Sequence, residues 1–336
     1  MKYIAIIVTN LFILFVLILL IEYSLPYLTE IKIGKERYLK IDEYQPNSSL
    51  KYLFNDDVYK KTIDNNGFSV NNQINSPNNK KSIYFLGSSN VETLYVSEGK
   101  RLSDLTTSKL NIAFDEKFNA FNSSKGGLNT SHMLKHLIFK IIPQKPDYVF
   151  LMPTNDYSYL LKYQSYHKGP KNHYFTSDFF HLFKIIKDTF IPNLYIFLRS
   201  SIEFQIPEVG IDNDLSLNPA VKIDRVDLLE FEKYFNSIIK ICKIFDIKLI
   251  LATQFYNVEA YDNRDDINKV TFMNNKINSI VRELARKENI VCLNLDSLIP
   301  KTYDYMYDAG HLNEKGTDLV SDLITQEIIN IESQND

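Results

Sequence analysis

The first pattern along the chain is an unbroken apolar run. Ile4 to Ile21 reads IAIIVTNLFILFVLILLI, 18 residues without a charge and with only Thr9 and Asn10 polar. As a helix rising 1.5 Å per residue it spans about 27 Å, close to the ~30 Å hydrocarbon thickness of a bilayer. A cleavable leader has an apolar region of about 7–15 residues and small residues at its cleavage point. Here Glu22-Tyr23-Ser24-Leu25-Pro26 follows instead. The pattern predicts an uncleaved transmembrane anchor over residues 1–27, with Tyr23 and Tyr27 at the interface. Lys2 precedes the span, and Lys32, Lys35, Arg37 and Lys40 follow it. Charge alone would keep the large domain in the cytoplasm. Long domains translocate regardless of charge, however, and so short a segment before an apolar run is typical of export. The expectation is a tethered extracytoplasmic domain, periplasmic or extracellular.

Beyond the anchor the pattern changes. Residues 28–80 are polar and turn-rich, a linker or N-terminal extension that ends in the exposed loop NNQINSPNNK. Short apolar runs then alternate with helical periods. Strands are predicted at Ser82–Leu86, closed by Gly87, and at Phe118–Phe121, Asp147–Met152, Ile247–Ala252 and Ile290–Leu295. Helices are predicted from about Glu92 or Lys100 to Leu110, and over Ser131–Ile142, Asp227–Phe245, Asp266–Lys287 and Glu314–Ile331. In the second of these, Leu134, Leu137, Ile138 and Ile141 share a face and Pro143 ends the helix. Residues 157–225 are rich in aromatic and basic side chains without a strand period, and read as an insertion. Strands separated by helices imply parallel βαβ units, so residues 81–336 are expected to form a three-layer α/β/α sandwich around a parallel sheet. Sites in such sheets lie at the carboxyl ends of the strands.

Composition narrows the function. With 336 residues, 45% hydrophobic and 24% charged, the chain is ordinary globular protein and not a disordered or collagen-like one. A net charge of -3 leaves no electrostatic footprint for nucleic acid. Cys242 and Cys292, each in an apolar stretch, read as buried free thiols, with no disulfide framework and no zinc spacing.

The candidate chemistry lies in four short blocks: Gly87-Ser88-Ser89-Asn90, Gly126-Gly127, Thr154-Asn155-Asp156 and Asp308-Ala309-Gly310-His311. The first three follow or adjoin a predicted strand. Each has a plainer reading. Ser89-x-x-Glu92 fits a capping box, Gly126-Gly127 a turn, and Asn155 a helix cap. Asp308 with His311 fits a partial metal site or a surface pair. His132 and His136, spaced i,i+4, lack the Glu of a zinc helix and read as a packed or solvated pair. His167, His173 and His181 fall in the insertion. Gln254, just past a strand, is a candidate substrate contact at a pocket rim. Phe179–Phe197 reads as core or lid.

Taken in order, the blocks resemble the SGNH (GDSL-like) hydrolases, membrane-anchored bacterial type. FLGSSNVETLYV is similar to that family's first block, NSSKGGLNTS to its second, DYVFLMPTNDYS to its third and YDAGHLNEKG to its last. The resemblance runs from about Ser82 to Ile331. Upstream, Asp64-Asn65-Asn66-Gly67-Phe68 is similar to a segment of anchored members. The chain departs from the pattern at Ser88, where the family usually has Asp, and at Thr154, where it has Gly. The resemblance implies an SGNH/flavodoxin-like fold with Ser89 as nucleophile, His311 as base and Asp308 as the residue that orients it. The N–H of Ser89, the N–H of Gly127 and the amide of Asn155 would form the oxyanion hole. It implies no cofactor and no metal. The expected activity is ester hydrolysis on an acylated small molecule or an acylated cell-envelope glycan. An O-acyltransferase using the same triad, a lysophospholipase, and a catalytically idle scaffold of an envelope assembly are the alternatives.

Overall fold

The structure, a computed structural model, describes residues 2–28, 44, 46–54, 57–71, 80–115, 117–163, 166, 191, 193–194, 226, 228–257 and 264–334. Most of the segment expected to be an insertion, with His167, His173, His181 and most of 179–197, lies outside these residues. The chain divides into two units, Met1–Lys40 with Pro170–Pro207, and Ile41–Gly169 with Glu208–Asp336.

The first unit contains helix α1, Lys2–Leu28. Its stretch Ile6–Leu25 has a mean hydropathy of 2.6 and is long and apolar enough to cross a membrane. The one acidic side chain near its end is not left bare: the Glu22 carboxylate accepts the N–H groups of Asn193 and Leu194 at 2.7 and 2.6 Å.

The second unit is built on five short apolar strands. These are β3 (Lys81–Leu86), β4 (Phe118–Asn122), β5 (Tyr148–Leu151), β6 (Lys248–Ala252) and β7 (Val291–Leu293). They form one parallel sheet in the order β4-β3-β5-β6-β7. Its strands, buried on both faces, read as continuous apolar runs for that reason. Alternation sorts them. Ile83, Phe85, Tyr148, Phe150 and Ile250 point to one core, with Leu110 of α3 (Leu102–Ala113) and Val320, Ile324 and Ile328 of α9 (Glu314–Ser333). Tyr84, Leu86, Val149, Leu151 and Leu249 point to the other. There they meet Phe231 and Phe235 of α6 (Leu228–Ile244) and Val270 and Ile277 of α7 (Arg264–Glu288). The result is a three-layer α/β/α sandwich. Chain winding reverses between β3 and β5, so the crevice for a ligand lies at the carboxyl ends of those two strands.

Two local features differ from the sequence reading. The helix expected over Ser131–Ile142 is α-helical only over α4, Thr130–His136; it widens into a π turn at Leu137–Ile141 and closes with the 3-10 turn Ile142–Gln144. Met133, Leu137 and Ile141 are therefore the buried set, while Leu134 packs from the side. That spacing of four suits a wider turn. Ahead of the sheet, β1 (Ser49–Phe54) and β2 (Asp57–Thr62) form an antiparallel hairpin with Ser49 opposite Thr62. A turn follows in which Asp64 Oδ1 accepts the N–H groups of Asn66 and Phe68 at 2.9 and 2.8 Å, with Gly67 at φ 78°. Phe68 is buried against Tyr84 and Phe121, and Lys140 Nζ donates to the Gly67 carbonyl at 2.8 Å. Cys242 is buried and Cys292 partly so; burial pushes the two thiols up to about 12 and about 11.

At the amino end of the sheet, Glu332 of α9 receives Lys81, the Tyr148 hydroxyl and Lys248, the last at 3.2 Å. Burial works against its charge, but these three donors outweigh it and hold the carboxyl down to about 2. A depressed acid stabilises the fold above its ordinary pKa and loses that contribution as pH falls toward the folded value. The unfolding temperature of the wild type should therefore exceed that of Glu332→Gln at neutral pH, and the gap should close between about pH 4.5 and about pH 2. A gap that is constant across that range would show that the cluster adds nothing.

Candidate active site

Strand β3 ends in a forced close approach. A Cβ at Gly87 would lie 2.3 Å from Val91 Cγ2 and 3.1 Å from the Met152 carbonyl oxygen, so no side chain fits between the strand end and the turn of helix after it. That turn, α2 (Ser89–Glu92), has Ser88 and not Ser89 at its N-cap position, without a side-chain cap, and the capping-box reading of Ser89 with Glu92 does not hold. Ser89 is instead the first residue of the turn. Its N–H, which has no predecessor carbonyl to bond, donates to no partner among the described residues.

The last block explains its own spacing. Asp308 Oδ1 accepts the N–H groups of Gly310 and His311, both at 2.8 Å, which folds the chain back on the carboxylate. This leaves Oδ2 facing the ring of the residue three along, 2.7 Å from His311 Nδ1. The other ring nitrogen, Nε2, lies 2.7 Å from Ser89 Oγ. With a carboxylate on Nδ1, that nitrogen carries the proton and Nε2 presents a lone pair to the hydroxyl. Burial alone would raise the Asp308 carboxyl. The His311 ring and the two N–H groups outweigh it and hold the carboxyl below the usual range.

Several residues to which the sequence reading assigned no role brace this arrangement. The Asn90 amide donates to the Gly310 carbonyl, tying the serine turn to the Asp308–His311 loop. The Asn257 N–H holds the Ala309 carbonyl at 2.8 Å. The Tyr307 ring stacks on the His311 ring at 5.4 Å and 5°. Burial, with the Asp308 charge beside it, pushes the Tyr307 phenol far up, so it stays neutral. Thr154, a departure from the family pattern, accepts the Ser88 N–H at its hydroxyl at 3.0 Å. A glycine at position 154 would bring no hydroxyl to that N–H.

Asn155 and Gly127 come together next to the serine. Asn155 Nδ2 donates to the Gly127 carbonyl at 2.9 Å, leaving its second hydrogen for another acceptor. Gly127 sits at φ 82°, a left-handed backbone that glycine takes without strain, and its N–H donates to Ser88 Oγ at 2.9 Å. Asn155 is fixed from behind by Asp156, which is buried and accepts the N–H and hydroxyl of Thr130 at 2.8 and 2.9 Å and the hydroxyl of Tyr166. Burial pushes Asp156 up to about 6.

Gln254, His132 and His136 lie elsewhere. Gln254, expected at a pocket rim, is completely buried, and its amide donates to the Thr154 carbonyl while Asn278 holds its backbone. It supports a strand end and lines no rim. His132 and His136 are packed: His132 closes a capping box with Asn129, and His136 Nδ1 pairs with the Ser123 hydroxyl at 3.0 Å.

An aromatic wall runs outward from the imidazole. Phe54 packs 5.1 Å from Tyr307 and stacks on Tyr95 at 4.4 Å, and Tyr59 meets Tyr95 edge-on at 6.0 Å. Phe54 and Tyr59 come from the hairpin, so the segment ahead of the sheet contributes to the surroundings of the site.

No family profile and no curated protein sequence matches the chain. Among solved structures it is similar to the acetyl xylan esterase AlAXEase, with 14% identity, 74% of this chain and 99% of that one covered, and a TM-score of 0.45. It is also similar to a GDSL-like lipase from Bacteroides thetaiotaomicron, at 14% identity over 75% of this chain and 89% of that one, TM-score 0.43. A third is Axe2, an acetylxylan esterase from Geobacillus stearothermophilus, at 15% identity over 74% and 94% of the two chains, TM-score 0.47.

Proposed function

We propose that the chain is a membrane-anchored serine ester hydrolase of the SGNH type, which removes a small acyl group from a glycan held at the cell envelope. The observation that carries this reading is the continuous line of hydrogen bonds from Asp308 through His311 to Ser89, at the carboxyl end of a parallel sheet. A hydroxyl attacks an acyl carbonyl only if its proton is taken, and His311 Nε2 is placed to take it. Ser89 Oγ bonds to the carbonyl carbon while its proton passes to Nε2, and Asp308 stabilises the imidazolium without being protonated. The carbonyl oxygen becomes an oxyanion. The N–H of Ser89 and the second hydrogen of Asn155 Nδ2 would receive it, and the Gly127 N–H would join them by leaving Ser88 Oγ. Collapse returns the proton from His311 to the departing alcohol and leaves an acyl-serine. Water, deprotonated by the same imidazole, then releases the acid.

The glycan rests on two supports. One is α1, which would hold the domain at a membrane, on its extracytoplasmic side in this reading. The other is the wall of Tyr307, Phe54 and Tyr95, whose rings offer an apolar face and hydroxyls together, a surface suited to a sugar ring. Two measurements test this part. Turnover of aryl esters should be highest for acetyl and fall with chain length, whereas preference for acyl chains of about eight carbons or more would indicate lipid. Tyr95→Ala should raise KM for an acetylated oligosaccharide on the order of tenfold, as loss of one stacked ring would, with KM for an aryl acetate nearly unchanged. Equal effects on both substrates would remove the sugar assignment.

A further inference from the structure

We propose that Glu92 is the positioning residue of the Gly126-Gly127 turn, held in place by Lys61 and Tyr44 from the segment ahead of the sheet. The proposal rests on the serine-esterase reading above and adds to it a residue that never touches substrate. Glu92 and Lys61 are both buried, with side chains 2% and 0% exposed. Glu92 Oε1 accepts from the Lys61 ammonium and from the Tyr44 hydroxyl, and Oε2 accepts the Gly126 N–H at 2.7 Å. The Lys61 ammonium also lies 4.0 Å from the centre of the Tyr44 ring. Burial pulls Lys61 down to about 8 against the attraction of Glu92.

The turn needs such a hold. Two successive glycines bring no side chains with which to fix themselves, and their backbone freedom is the largest of any residue. The turn is also close to the nucleophile: a Cβ at Gly126 would lie 3.9 Å from Ser89 Cβ. Three groups fix it from outside, namely Glu92 on the Gly126 N–H, Ser88 Oγ on the Gly127 N–H and Asn155 on the Gly127 carbonyl. Of these only Glu92 brings a full charge, and charge-assisted hydrogen bonds are the stronger kind. Glu92 is also on the same short helix as Ser89, so one rigid turn carries both the nucleophile and the anchor of the turn facing it. If Glu92 lets go, the Gly127 carbonyl shifts and takes the Asn155 amide with it. A buried pair that served packing alone would be replaceable by two apolar side chains.

The test uses the full-length protein in detergent micelles. The double variant Lys61→Met with Glu92→Met leaves no orphaned charge. It should unfold near the wild-type temperature, yet lose about 10- to 100-fold in kcat on an aryl acetate with KM within about threefold, the scale of a small misplacement of catalytic groups. Lys61→Met with Glu92→Gln returns an oxygen acceptor for the Gly126 N–H and should recover most of the loss. In protein labelled with 15N-glycine, the Gly126 amide should be protected from hydrogen exchange in the wild type and exposed in the Met/Met variant. Wild-type kcat in the folded Met/Met variant would overturn the proposal. If that variant does not fold, an unprotected Gly126 amide in the wild type, or a kcat for the Gln variant no better than 10-fold below wild type, would overturn it. Failure of the underlying reading looks different: the wild type itself would show neither turnover nor a modified Ser89.

Discussion

Alanine at Ser89 should lower kcat at least about ten-thousand-fold, and alanine at His311 should do nearly the same, with binding of substrate little changed. The reason is that the two groups form one unit. Ser89 Oγ has its proton partner in His311 Nε2 at 2.7 Å, and the ring is held by Asp308 at the same distance. Without the hydroxyl there is no acyl-enzyme; without the imidazole the hydroxyl keeps its proton. The losses should not add, so the double variant should fall no further than either single one. Both substitutions remove few packing contacts from a partly exposed site, so the unfolding temperature should stay close to that of the wild type. Additive losses, or substantial residual turnover in either single variant, would contradict the assignment of the serine and its base.

The next largest effect is expected at Asn155. Its amide braces the Gly127 carbonyl with one hydrogen, and in the proposed mechanism the other receives the oxyanion. Removal of one oxyanion donor typically costs about 100- to 1,000-fold in kcat, or about 3–4 kcal/mol of transition-state stabilisation. Asn155→Ala should lose at least that much, because the turn also loses its brace. The loss should fall on kcat with KM within about threefold, since the donor binds an oxygen whose charge develops only in the transition state. Asp156 keeps the backbone at this position through Thr130 and Tyr166, so the variant should remain folded. A change confined to KM would place Asn155 among the groups that only bind substrate.

Much of the architecture was written in local patterns. The five strands were legible because a parallel sheet buries both faces, and runs such as Tyr84-Phe85-Leu86 and Val149-Phe150-Leu151 are apolar at every position. The long helices were legible from their periods. The hairpin was not. Its second strand, DVYKKT, is exposed at three of its six positions and has the composition of a solvated loop. Lys61 within it is fully buried because of Glu92, 31 residues away, a partner that no local pattern announces. The same holds for Glu92, whose spacing from Ser89 suited a helix cap until the sheet brought Gly126 to it. Of the face that ideal spacing drew along α4 and the π turn after it, Leu137 and Ile141 are buried as expected, while Met133 is buried in place of Leu134. Gln254 was misplaced for a related reason: the end of a strand marks where a site lies, but not which side chains turn into the layer beneath it. The blocks holding Ser89 and Asn155 were legible as candidates because each lies just past a predicted strand, and the Asp308–His311 pair because the blocks in order resemble a known family; the geometric cause of that pair's spacing appears only in the folded loop. The two N–H groups folded onto Asp308 require a histidine three residues on for the ring to reach the free oxygen.

The most direct measurement is reaction of the folded protein with a fluorophosphonate, followed by mapping of the adduct by mass spectrometry, with His311→Ala alongside. A phosphonate is attacked only by a serine whose proton is taken by a neighbouring base. The proposed site should give one adduct per chain, on Ser89, that disappears in His311→Ala. A well-folded wild type with no adduct, or an adduct on Ser89 that forms equally fast without His311, would contradict it.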